Sequence, residues 1–129
     1  MMTRLVLVVV TGLVLCAGRP LAHHSIAAIY DDRMVTIAGE VVRVVLRNPH
    51  SFVDVVVQMP GRAGVRYLVE WSASNRLGLH GVTSTTLKAG DRVVITGQPA
   101  RDSDERLRMT MLRRPKDGFV WAPRPDSMD

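Results

Sequence analysis

From Val35 onward, valine and other apolar side chains recur at alternate positions between breaks rich in glycine and proline, a period that commits the chain to β-strands. In the first run Val35, Ile37 and Val41 share one face, and beyond Gly39 the apolar phase moves to Val42, Val44 and Leu46. A phase change beside a glycine predicts a long strand with a bulge or sharp bend. Asn48-Pro49-His50 ends that run. In residues 51–59, Val53, Val55 and Val57 alternate against Asp54 and Gln58, and Pro60-Gly61-Arg62-Ala63-Gly64 turns the chain. Residues 65–71 point Val65, Tyr67, Val69 and Trp71 one way, Arg66 and Glu70 the other. Residues 72–81 read as a loop with one helical turn near 75–79. Leu87-Lys88-Ala89-Gly90-Asp91 then turns into a fourth strand over residues 92–97. A polar stretch, 99–105, precedes a fifth strand in which Leu107, Met109 and Met111 alternate against Arg106, Arg108 and Thr110. Residues 115–129, with Pro115, Pro123, Pro125, Phe119 and Trp121, read as an irregular Pro-rich tail. These pieces predict an all-β fold: a small five-stranded OB-like barrel over residues 23–114, with a short helical turn between strands 3 and 4. Closure hides the edges that a valine-rich meander would expose. A split sandwich is the alternative with the same strands.

Ahead of the barrel, residues 1–22 have the form of a cleavable signal peptide. Arg4 supplies a short positive region, residues 5–17 carry no charge, and Pro20-Leu21-Ala22 ends in a small residue suited to cleavage. The apolar run falls short of the about 20 residues that a membrane-crossing helix needs. The expectation is a periplasmic protein with no membrane span after cleavage. Its only cysteine, Cys16, lies in the leader, preceded by Leu15 where a lipidation signal calls for a small residue. The mature chain therefore has neither a disulfide nor a thiolate ligand.

Removal of Arg4 and Arg19 with the leader lowers the formal charge from +5 to +3. That is mild for a nucleic-acid binder, and two Trp, two Tyr and two Phe make a thin stacking platform. Nucleic acid is not the expected partner. Arg43, Arg47, Arg101, Arg106, Arg108, Arg113 and Arg114 read as a solvated basic face, with an acidic envelope partner as the functional alternative.

Cleavage after Ala22 would leave His23 and His24 at the new N-terminus, where a free amine and an imidazole can chelate one ion. Imidazole nitrogen suits copper or zinc. The leading segment, residues 23–34, is as long as the first strand, so folding back along it would carry His23 and His24 to His50. The plainer reading leaves the pair as solvated residues on a frayed end and gives His50 only a turn to support. Trp71 ends a strand on its inward face and closes one end of the barrel. With Asn75 at that mouth, it would hold a small polar ligand. Glu70 lacks a carboxylate partner at paired spacing, Asp54 being the nearest by strand face, which argues against a two-carboxylate hydrolase. Asp31 and Asp32 read as the turn entering the first strand, and Asp91 as a turn residue. No Ser-His-Asp order or phosphate loop stands out, so the sequence gives no positive reason to expect an enzyme.

His23-His24-Ser25-Ile26-Ala27-Ala28, Asn48-Pro49-His50, Glu70-Trp71 with Ser74-Asn75-Arg76-Leu77, and Leu87-Lys88-Ala89-Gly90-Asp91 occur in this order along the chain. Together they resemble an exported bacterial family of domains of unknown function, uncharacterised periplasmic OB-like proteins. The chain departs from that pattern at Ile26, where the family has an aromatic residue, and at Ala73, where it has glycine. The resemblance implies a periplasmic OB-like domain and no reaction. The expected function is an exported non-enzymatic binding or accessory domain with copper or zinc at His23, His24 and His50. The alternative is an envelope protein-interaction module without metal, docking through the barrel surface and the tail with Phe119 and Trp121.

Overall fold

The computed structural model describes residues 25–124; the leader, His23 and His24 lie outside the described residues. The chain forms a short helix α1 (Ile26–Ile29), then β1 (Val35–Val45), β2 (Ser51–Met59) and β3 (Arg62–Trp71). A second short helix, α2 (Ser74–Leu79), leads to β4 (Arg92–Ala100), β5 (Ser103–Arg114) and β6 (Phe119–Trp121). Antiparallel pairing runs in the order β3-β2-β1-β4-β5-β6. A parallel pairing of β3 with β5, through Leu68↔Arg106, Val69↔Leu107 and Glu70↔Arg108, closes the first five strands into a barrel. The chain is all-β, with the short helix between β3 and β4 that the sequence predicts. Among the described residues, no helix is long and apolar enough to cross a membrane.

Alternation decides the inside. Val53, Val55, Val69, Ile95, Leu107 and Leu112 have no exposed surface. Each such side chain stabilises the fold by about 1.5–3 kcal/mol through loss of contact with water. Two departures from the alternation expected of the sequence come from bulges. In β1 the register against β2 shifts between Val41 and Arg43. Val42 is the extra residue and stands 44 % exposed, not inward as its place in the run suggests. Gly39 serves a different need, since a Cβ there would lie 2.6 Å from the Val56 carbonyl oxygen. In β5 the register against β4 shifts opposite Thr96 and Gly97. Met111 therefore turns outward, 37 % exposed, and Leu112 takes the inward place that the sequence assigned to Met111.

The polar stretch 99–105 is not a long loop: β4 runs to Ala100 and β5 starts at Ser103. The tail is not irregular throughout, because Phe119, Val120 and Trp121 pair with Arg114, Arg113 and Leu112 as β6. Trp121 is buried against Trp71, ring centroids 5.4 Å apart and planes at 87°. An inward aromatic anchored by strand pairing outweighs the loop propensity of the prolines around it.

Asp91 does more than make a turn. Its carboxylate, 3 % exposed, accepts from Arg114 Nη1 at 2.8 Å, Lys116 Nζ at 2.9 Å and the Lys88 backbone N–H at 3.1 Å. The latch ties the turn before β4 to the β5–β6 hairpin. Burial alone would push this carboxyl up, but the Lys116 ammonium, the Lys88 N–H and the Arg114 guanidinium outweigh it and hold it at about 2.

Trp121→Ala is expected to lower unfolding free energy by about 3–5 kcal/mol, read from the denaturant midpoint, as for other large buried aromatics. A loss below about 1 kcal/mol would mean that the hairpin is not part of the core. Because the Asp91 carboxyl is depressed in the folded state, its contribution is present at neutral pH. It is lost as pH falls from the ordinary carboxylate range toward 2. Asp91→Asn should therefore abolish about 2 kcal/mol of acid-labile stability, seen as a flatter pH profile of the denaturant midpoint below pH about 5.

Candidate functional site

The site is built by register at the barrel mouth where β2 begins and β3 ends. Ser51 pairs with Trp71 and Phe52 with Glu70, so His50, the residue before β2, arrives beside the last residues of β3. The turn carrying His50 is fastened on two sides. Ser51 is fully buried; its Oγ accepts from the Arg47 N–H and donates to the Arg47 carbonyl, each at 3.2 Å. Asn48 Oδ1 accepts from Ser74 Oγ at 3.1 Å and the Asn75 N–H at 3.2 Å, which binds the turn to the start of α2. The parallel pair Glu70↔Arg108 then brings β5 to the same mouth.

The result is a cleft of about 450 Å³ whose lining includes His50, Glu70, Trp71, Asn75, Arg108 and Trp121. The three residues singled out in the sequence that the structure describes, His50, Trp71 and Asn75, thus border one space. His23 and His24 lie outside the described residues, but Ile26, two positions beyond His24, also lines the cleft. The leading segment reaches it by another route than its length suggests. It does not run back along β1; Tyr30 bridges to Ala100, the Asp31 N–H donates to the Pro99 carbonyl and the Arg101 N–H to the Ile29 carbonyl, both at 2.9 Å. The segment's described part, residues 25–34, packs on the end of β4 through Ile29, Tyr30 and Asp31.

That route delivers Tyr30, which the sequence reading passed over. Its hydroxyl donates to Glu70 Oε2. Glu70 Oε1 lies 3.0 Å from His50 Nδ1. Burial, reinforced by the hydrogen bond to the Glu70 carboxylate, pushes the Tyr30 phenol up to about 12, so it stays a neutral donor. Nδ1 is the ring nitrogen that faces the carboxylate, and a neutral ring able to donate there would carry its proton on Nδ1. In the neutral ring that leaves the Nε2 lone pair free. Glu70 is thus clamped between a phenol and an imidazole, and among the described residues lining the cleft there is no second carboxylate. Among the described residues, no three His, Cys, Asp or Glu side chains converge on a point that could hold an ion.

Asp54, the carboxylate considered beside Glu70, is buried elsewhere and bound by Arg43 Nε at 2.9 Å and by Arg66. Burial pushes its carboxyl up; the two guanidiniums outweigh that and hold it below the usual carboxylate range. The basic face is thus partly consumed by pairing. Arg43 serves Asp54, Arg114 serves Asp91 and Arg108 Nη1 donates to Gln98 Oε1 at 3.1 Å. Asp31 pairs with Arg33 in the turn before β1, as a turn residue should.

Residues 10–108 match the model of a Family of unknown function (DUF6152), and the chain belongs to that family. No curated protein matches the chain closely enough to lend it an activity.

The clamp on Glu70 gives a direct spectroscopic expectation. Absorbance titration of the two tyrosines should show one phenol ionising at about 12, and Tyr30→Phe should remove that step. Glu70→Gln should move it downward, because the neutral amide no longer opposes a phenolate. A wild-type titration with both phenols ionising near 10 would contradict the clamp.

Proposed function

We propose that this chain is an exported, non-enzymatic binding domain of the bacterial periplasm that holds a divalent ion, copper or zinc, at the cleft. His50 would ligate through Nε2, and His23 and His24 would supply the remaining nitrogens from the mature N-terminus. The observation that carries the reading is the chain Tyr30–Glu70–His50. A carboxylate on the far nitrogen of an imidazole is the usual support of a metal-bound histidine: it fixes the ring orientation and raises the basicity of the ligating nitrogen. Reach supports it as well. Two residues of extended chain span about 7 Å, so His24 is tethered within that distance of Ile26 in the cleft wall. The leader pattern over residues 1–22 supplies the address, and cleavage after Ala22 supplies the free amine.

The envelope-docking alternative relied on Phe119 and Trp121 as tail anchors. Trp121 is instead buried in the core, and the Arg114 guanidinium lies over half-buried Phe119, 5.2 Å from its ring centroid. That reading therefore keeps the barrel surface and Phe119 but not Trp121.

Calorimetric titration of chelator-treated mature protein, with the N-terminus verified by intact mass, tests the proposal. Copper(II) or zinc should bind one per chain, and Glu70→Gln should weaken binding by about 10–100-fold, the range for removal of an outer carboxylate. Equal affinity in wild type and in a variant with His23, His24 and His50 all changed to alanine would overturn it.

A further inference from the structure

We propose that the cleft also receives a small organic carboxylate with a flat apolar body, seated by Arg108 and Asn75 against the Trp71–Trp121 pair. This goes beyond the metal reading and stands without it.

The first observation is an excess of donors. Trp71 and Trp121, 2 % and 5 % exposed, both line the cleft, and neither indole N–H has an acceptor among the described residues. An edge-to-face pair lets one N–H at most point at its neighbour's ring, so at least one donor stays unmatched. Buried unmatched donors are uncommon in folded proteins and call for an explanation. Arg108 Nη1 is occupied by Gln98, which leaves the other guanidinium N–H groups. Asn75 uses its Oδ1 to accept from the Arg76 N–H at 2.8 Å, and its amide NH₂ has no partner among the described residues.

The carboxylate acceptor among the described lining residues is already engaged. Among the described residues, Glu70 is the one carboxylate lining the cleft, and its two oxygens are engaged by Tyr30 and His50. What the cleft lacks is an acceptor pair that matches a guanidinium, and a carboxylate supplies it in a planar, two-bond geometry. The remaining wall selects the body of the ligand. Ile26, Pro49, Met109 and Pro123 present apolar surface beside the indoles. An inorganic anion would leave that surface wet. The cleft, about 450 Å³, has the size of ordinary small-molecule sites.

The two tryptophans are the only ones in the chain, so their indole N–H resonances report on this cleft alone. Chelator-treated mature protein, labelled with ¹⁵N, is titrated with benzoate, benzamide and acetate. The chelator keeps the result independent of whether the ion site exists. Benzoate should shift at least one indole N–H saturably downfield, with benzamide and acetate about tenfold weaker or worse. Arg108→Gln should weaken benzoate by about tenfold while the other backbone resonances stay in place. Should that variant fail to fold, Asn75→Ala, on the exposed face of α2, is expected to weaken benzoate measurably on its own. Equal shifts with benzoate and benzamide, no saturable shift at all, or unchanged benzoate binding in the folded variants would each overturn the proposal.

Discussion

Three residues of parallel pairing hold this molecule in its functional shape. Val69↔Leu107 sits at the middle of that contact, both side chains without exposed surface, and the pairs on either side are Leu68↔Arg106 and Glu70↔Arg108. Every other strand contact in the barrel is antiparallel. The closure removes two sheet edges and places the end of β3 beside the middle of β5. Without it Glu70 and Trp71 would face solvent, Arg108 and Met109 would lie on a separate strand, and there would be no cleft between them.

Three acidic residues in the barrel show how partners separate structure from function. Asp54 and Asp91 are each bound by two cationic side chains, and both carboxyls are held low. Such pairs fix strands and hairpins in place and leave nothing over. Glu70 is different: its direct partners are the Tyr30 hydroxyl, which donates to it, and the His50 ring, with the Arg106 guanidinium over the Tyr30 ring rather than on the carboxylate. The contact with Glu70 turns the His50 ring so that Nδ1 faces the carboxylate and Nε2 lies on the opposite side of the ring.

Much of the barrel was legible because it is local. The alternation of Val53, Val55 and Val57 gave β2 its limits, and Gly90-Asp91 marked the entry to β4. Val42 and Met111 were misplaced because a single bulge reverses the face of every residue that follows, and nothing in a run of apolar residues marks where the extra one falls. Trp121 was misread for the opposite reason: prolines on either side suggested an irregular tail, while the partner that buries it, Trp71, lies 50 positions earlier in the chain. For the site, the motifs around His50, Trp71 and Asn75 pointed to the right mouth. Tyr30 and Arg108 could not be found that way, since one arrives along β4 and the other across the parallel closure. Both contacts are set by topology and leave no periodic trace.

The orientation of the His50 ring tests the account most directly, because the cleft chemistry follows from Glu70 holding one nitrogen and freeing the other. Long-range ¹⁵N NMR of the metal-free protein, at a pH where the ring is neutral, distinguishes the two tautomers. The account predicts a proton on Nδ1 and a bare Nε2. A ring protonated on Nε2, with Nδ1 bare toward Glu70, would contradict it.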